Sequence, residues 1–307
     1  MNLPVEESSK PDRPAIAVAT VMSSAVLFSL GDAIVKLISV DLGLWQILVL
    51  RALISIPALI VICRMSSTPV RLLPNALRWT ATRSILMISM WVTYYAALLT
   101  LPVSVAASVY YTMPIFVSLI AVIFIGERIG NLGWMGVALG FAGVLLIVKP
   151  DANGFNLFTL FPLMSAIFFA FAMIVTRARL RDEHPYALTI NLQLGFLATG
   201  LIATGFVHVV GEIGGSPTTT FFGGSWKYVG AREWLILLVL AGIITVGNIG
   251  TSLAYQLGRS SMIATFSFSY IPFVIVWGFI FFGELPDGVT ILGILLIILA
   301  GMLAIRD

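Results

Sequence analysis

The sequence predicts an all-α integral membrane protein: ten transmembrane helices arranged as two inverted five-helix repeats. Three observations carry that prediction. Of 307 residues, 59% are hydrophobic and only 10% charged; the apolar residues gather into runs near 20; and a shift of 157 positions lays one half's signature on the other's. A water-soluble domain carries about 25% charged residues, so this chain cannot cover its surface in water. Lipid must solvate it. The formal charge of +3 comes without a basic patch interleaved with aromatics, so no nucleic-acid partner is expected. The single cysteine, Cys63, allows neither an intrachain disulfide nor a cysteine-rich metal site.

A helix needs about 20 apolar residues to cross roughly 30 Å of hydrocarbon. Runs of that length, bounded by charge, Gly or Pro, fall at 15–39, 44–63, 79–99, 103–125 and 130–148. Five more follow at 157–176, 187–210, 234–256, 261–282 and 288–305. The first follows Lys10 and Arg13, continues through Lys36 and lacks a small-residue cleavage site, so it reads as an uncleaved span. Continuous apolarity, rather than alternation over about 10 residues, disfavours a β-barrel. The longest connection, Gly211 to Glu233, is rich in Gly, Ser and Thr and reads as an exposed loop.

Cations retained in short connections mark the cytoplasmic side. With the N-terminus inside, eleven Lys and Arg fall in the cytoplasm and three outside, namely Lys149, Lys227 and Arg232. Both termini are then cytoplasmic, and the expected location is the inner membrane.

Under the 157-residue shift, Ser104 falls on Ser261, Phe116 on Phe273, Phe124 on Phe281, Gly126 on Gly283, Glu127 on Glu284 and Gly136 on Gly293. Spans four and five map onto nine and ten, dividing the chain into repeats 1–149 and 150–307. Five spans per half force the halves to enter the membrane in opposite directions. Inverted repeats of this kind are an architecture of secondary transporters, with the substrate between the halves near the midplane.

Ten spans in two inverted halves, Lys36 late in span one, Arg51 early in span two and a Gly-Glu closing spans four and nine resemble the EamA type of the drug/metabolite transporter superfamily. The resemblance covers essentially the whole chain. It implies a polytopic inner-membrane protein that moves a small metabolite, with substrate and direction varying among members. The stretch Asp32, Lys36, Gln46, Arg51 is also similar to a branch containing S-adenosylmethionine uptake carriers.

A charge at bilayer depth costs several kcal/mol unless paired or wetted, and Asp32 is the only carboxylate inside a span. Lys36 follows one turn later on the same face. The pair either lines a substrate cavity, with Asp32 able to bind a cation or proton, or holds span one against a neighbour. Arg51 either holds a carboxylate or phosphate bidentately or bonds backbone carbonyls or Asp32. Arg83, at the start of span three, reads as an interfacial anchor.

Trp91, Tyr94, Tyr95, Tyr111 and Tyr270, with the mid-span amide Asn248, are candidates for a cavity wall on which a flat metabolite could stack. Pro114 and Pro272, inside the repeated spans, are candidate pivots, and Glu127 and Glu284 are span stops or symmetric gate residues. Gly133, Gly136, Gly140 and Gly143 form a small-residue stripe for an intramolecular contact or a dimer, so monomer and homodimer both remain open.

These residues favour secondary transport of a small polar or zwitterionic metabolite, such as an amino acid or S-adenosylmethionine, by alternating access, with Asp32 the candidate for proton coupling. The alternatives are a carrier of riboflavin or another heteroaromatic metabolite, and an exporter of amino acids or drugs. An intramembrane enzyme is a distant reading: His184 and His208 are the only histidines and no catalytic motif accompanies them. No phosphate-binding loop, metal motif or cofactor motif occurs. A channel would need an oligomeric ring or a selectivity loop, and neither is visible.

Overall fold

The computed structural model describes residues 12–38, 42–65, 71–100, 109–148, 160–211, 222–224, 226–282 and 287–306. Within them every regular element is a helix. In order these are α1 (Pro14–Ile38), α2 (Leu44–Met65), α3 (Leu77–Thr100), α4 (Met113–Ile125), α5 (Asn131–Val148) and α6 (Leu160–Arg179). There follow α7 (Pro185–Val210), α8 (Ala231–Leu257), α9 (Ser260–Ser267), α10 (Tyr270–Phe282) and α11 (Gly288–Arg306). Helices are what a lipid-solvated chain must form, because each satisfies its backbone groups within its own segment.

Among the described residues, seven segments are long and apolar enough to cross a membrane: α1, α2, α6, α7, α8, the α9–α10 pair and α11. The other three expected spans differ in kind. Helix α3 has 24 residues but carries Arg78, Arg83 and two tyrosines; α4 and α5 are shorter, at 13 and 18 residues. The surface is apolar, with Met65, Ile202, Val209, Leu235 and Ile305 all exposed. Such side chains need a lipid solvent.

The helix pairings repeat. Helix α1 packs on α8 as α3 packs on α6; α4 lies on α6 as α9 and α10 lie on α1; and α3 meets α7 as α8 meets α2. Helix α2 pairs with α7, and α5 with α11. Glycines set the closest of these approaches. At the α5–α11 crossing, a Cβ on Gly143 would lie 2.7 Å from the Gly293 carbonyl oxygen, and one on Gly293 would lie 2.7 Å from that of Gly143. Gly140 gives way to the Phe268 ring and Gly136 to the Ala300 backbone. These three glycines of the small-residue stripe thus make intramolecular contacts.

Two helices expected to be continuous are interrupted. A helical turn at Val109–Tyr110 gives way to a non-helical turn at Tyr111–Thr112 before α4, and α9 gives way to a turn at Phe268–Ser269 before α10. The two breaks lie 157 positions apart, at the offset of the sequence repeat. Pro114 and Pro272 do not kink a continuous helix. Each lies in the first turn after a break, where the missing N–H costs nothing.

Candidate functional site

The bundle interior holds a polar stripe on α8. Thr245, Asn248, Ser252 and Gln256 recur at helical spacing and are all buried. Each is tied into a different part of the structure. Gln193 Nε2 on α7 donates to Thr245 Oγ1 at 3.3 Å, which donates to Ser55 Oγ on α2 at 2.9 Å. Asn248 Nδ2 donates to the Ile244 carbonyl of its own helix at 2.9 Å. Gln256 Nε2 donates to the Leu180 and Glu183 carbonyls beyond the end of α6.

Two buried guanidinium groups flank the stripe. Arg51, one turn before Ser55, is 3% exposed; its carbon lies 5.1 Å from the centre of the Phe196 ring, and Tyr95 is close enough to act on its charge. Its Nε and Nη2 have no hydrogen-bond partner among the described residues. Arg83 is fully buried, donating from Nε to Thr176 Oγ1 at 2.9 Å and from Nη2 to Ser252 Oγ at 2.7 Å, while Nη1 has no partner among the described residues. Arg83 therefore is not an interfacial anchor. Hydroxyls of α6 and α8 draw it inward, where an anchor would have extended to the headgroups.

The aromatic candidates converge into one chain of rings. Trp91 stacks on Tyr95 at 5.3 Å, Tyr95 lies 6.4 Å from Tyr94, and Tyr94 lies 5.0 Å from Tyr110. Tyr110 meets Tyr111 edge-on at 5.7 Å, and Tyr111 reaches Tyr270 at 5.5 Å. Helix α3 is thereby connected to both breaks. Such rings offer faces for a planar or cationic group and hydroxyls for a polar one.

One end of the bundle is closed by polar contacts. Gly126 ends α4 in the left-handed conformation, with φ of 67°, and turns the chain so that Glu127 faces α9. The Glu127 carboxylate accepts the N–H of Ser260 at 2.8 Å and of Ser261 at 3.1 Å. Arg259 donates to the Arg128 carbonyl beside it. At the same end Asp12 is gripped by Arg177 at 2.9 and 2.8 Å and by Arg181 at 2.6 Å, and both arginines also donate to the Gln256 carbonyl. Burial would raise the Asp12 carboxyl's pKa, but the two guanidinium groups outweigh it and hold it below its ordinary 3.8. At the other end Trp45 Nε1 donates to the Phe222 carbonyl at 2.6 Å, and Gln46 exchanges two hydrogen bonds with the Lys227 backbone.

Residues 15–149 match the EamA-like transporter family. The resemblance to EamA-type drug/metabolite transporters is borne out. Named relatives agree. A riboflavin transporter of Rhizobium johnstonii is 28% identical over 70% of this chain, although the match spans only 65% of that protein. The pseudopaline exporter of Pseudomonas aeruginosa is 26% identical over 89% of this chain and 90% of its own length. An S-adenosylmethionine uptake transporter of Rickettsia bellii is 27% identical over 66% of this chain and 64% of its own. A solved crystal structure shares the fold, with a TM-score of 0.77 and 17% identity over 95% of this chain and 97% of that one.

Within this bundle the expected residues fare differently. Arg51, Asn248 and the five aromatics are interior or partly buried. Asp32 and Lys36 stand one turn apart on α1, and their side chains lie outside the described residues, as does the whole of Glu284. His184 has a structural task, since its Nδ1 accepts the Tyr186 N–H at 3.3 Å and caps α7. Reading the sequence alone missed Ser55, Gln193, Thr245, Ser252 and Thr176. Thr245, Asn248 and Ser252 at i, i+3 and i+7 were the available signal.

Proposed function

We propose that this chain is a secondary transporter of ten spans in two inverted halves, 1–149 and 150–307, that moves a small metabolite bearing an acidic group by alternating access. The α9–α10 pair counts as one span. The symmetric pairings and the helix breaks at equal offsets support the inverted repeat. With both termini in the cytoplasm, the end held by Asp12 and Glu127 is the cytoplasmic one, and its polar contacts support reading this arrangement as closed toward the cytoplasm.

The observation that carries the substrate reading is Arg51. A guanidinium in this interior, with Nε and Nη2 unpartnered among the described residues, suits a carboxylate or phosphate. The aromatic chain that includes Tyr95 suits the flat or cationic remainder of a zwitterion such as an amino acid or S-adenosylmethionine. A riboflavin-like metabolite is the second reading, favoured by the extent of the ring chain. Asp32 is the proton-coupling group in this scheme.

Uptake of labelled S-adenosylmethionine, amino acids and riboflavin into proteoliposomes, with and without a pH gradient, tests both. Saturable, gradient-driven uptake with counterflow is expected, and Asp32→Asn should abolish the gradient-driven part while counterflow survives. Linear, non-saturating flux would overturn the carrier reading. Equal transport in wild type and Asp32→Asn would remove the coupling role.

A further inference from the structure

We propose that Arg83 is a second anion-binding residue on the route, receiving the metabolite's carboxylate or phosphate group between Arg51 and the Asp12 end of the bundle. Three observations outside the Arg51 site lead there, resting on the carrier reading above. First, Arg83 is fully buried, and among the described residues it is bonded only to neutral hydroxyls, Thr176 and Ser252, with Nη1 unpartnered. Two hydroxyls offset little of the several kcal/mol that desolvating a guanidinium costs, whereas an anion supplies the missing charge and the third acceptor.

Second, the polar face of α8 joins the two arginines. Thr245, bonded to Ser55 one turn from Arg51, and Ser252, bonded to Arg83, lie seven residues apart, about 10 Å at the helical rise. Asn248 stands between them. A substrate leaving Arg51 thus meets hydrogen-bonding groups rather than hydrocarbon. Third, a cavity of about 270 Å³ opens where α3 begins and α6 ends, lined by Asn75, Ala76 and Ala178 and by charges of both signs, Arg179 and Arg181 with Asp182 and Glu183. Arg83 follows Ala76 by about two turns, and Thr176 precedes Ala178 by two residues. On the proposed route the cavity marks the side from which Arg83 is reached once that end opens.

The test needs no knowledge of the substrate. Cys63 is the only cysteine, so Cys63→Ser gives a thiol-free background. Asn248→Cys in that background, in nanodiscs with both faces accessible, reports charge preference by its reaction with two methanethiosulfonates. One carries an ethylsulfonate, the other an ethyltrimethylammonium, and each rate is normalised to that of a free thiol. The anionic reagent should react roughly tenfold faster than the cationic one, as a confined positive field dictates. Arg83→Gln should erase the preference and Arg83→Lys should keep it.

Modification without charge preference, or a preference that survives Arg83→Gln, overturns the proposal. If Arg83→Gln does not fold, Arg51→Gln decides: the preference at Asn248→Cys should survive there, and its loss overturns the proposal. Ser55→Cys separates the two readings. Labelling at Ser55→Cys but not at Asn248→Cys sinks the role of Arg83 and leaves the carrier intact; labelling at neither sinks the route itself.

Discussion

The Glu127 carboxylate accepts the backbone N–H groups of Ser260 and Ser261, at 2.8 and 3.1 Å, and so ties the end of α4 to the start of α9. The first N–H groups of a helix have no partner within it and carry the positive end of its dipole. A carboxylate there is worth about 1 kcal/mol. Glu127→Ala should speed amide exchange at Ser260 and Ser261 by roughly fivefold, that energy expressed as a population, and Glu127→Gln should fall between. Hydrogen–deuterium exchange of the Arg259–Thr265 segment measures it. Exchange unchanged in Glu127→Ala would mean that the latch bears no load.

The parts of this molecule legible in its sequence are those the bilayer imposes. Apolar runs near 20 residues reveal the helices, and the Gly126-Glu127 junction already singled out the latch residue. The aromatics converge because Trp91, Tyr94 and Tyr95 lie within about one turn of α3. Arg83 was misread because its place near the start of a span suggests an interface, while its partners, Thr176 and Ser252, stand 93 and 169 residues away. No local pattern encodes that contact. The breaks were half legible: Pro114 and Pro272 mark them, but the turns lie at Tyr111–Thr112 and Phe268–Ser269, before the prolines.

Arg51 should separate function from stability. Its Nε and Nη2 have no partner among the described residues, so its replacement orphans no described partner of theirs and removes a buried charge. Arg51→Gln should fold with a Tm equal to or above that of wild type. Its transport efficiency should fall by about two orders of magnitude, the scale of losing one partner of a buried charge pair. Arg51→Lys, which keeps the charge but not the fork, should recover only part of it. A Tm drop that parallels the loss of transport would make Arg51 a structural residue.

The glycines supply a paired test of packing. A Cβ at Gly143 would meet the Gly293 backbone oxygen at 2.7 Å, and backbone cannot swing aside. Gly143→Ala should therefore cost about 1–3 kcal/mol. A Cβ at Gly205 on α7 meets nothing within 4 Å, so Gly205→Ala should be neutral or stabilise by up to about 1 kcal/mol. Thermal unfolding of both variants in one detergent reads the difference. Equal melting temperatures would show that the α5–α11 crossing is not close-packed.

The Asp12 clasp makes a prediction about pH. Because Arg177 and Arg181 hold the Asp12 carboxyl below its ordinary 3.8, the folded state favours the ionised form. That contribution is fully present above 3.8 and is lost as pH falls through the lower folded value. The side chain is 42% exposed, so solvent limits the gain to well under about 1 kcal/mol. Asp12→Asn should lower thermal stability by a small, constant amount from about pH 8 down to about pH 5, with the difference closing below about pH 4. A stability difference that varies between about pH 5 and 8 would place the carboxyl's titration there and contradict the clasp. The same reasoning separates this end of the molecule from proton coupling. Asp12 stays ionised across that range, so the pH dependence of uptake should keep its shape in Asp12→Asn, and any group that couples transport to protons must lie elsewhere in the bundle.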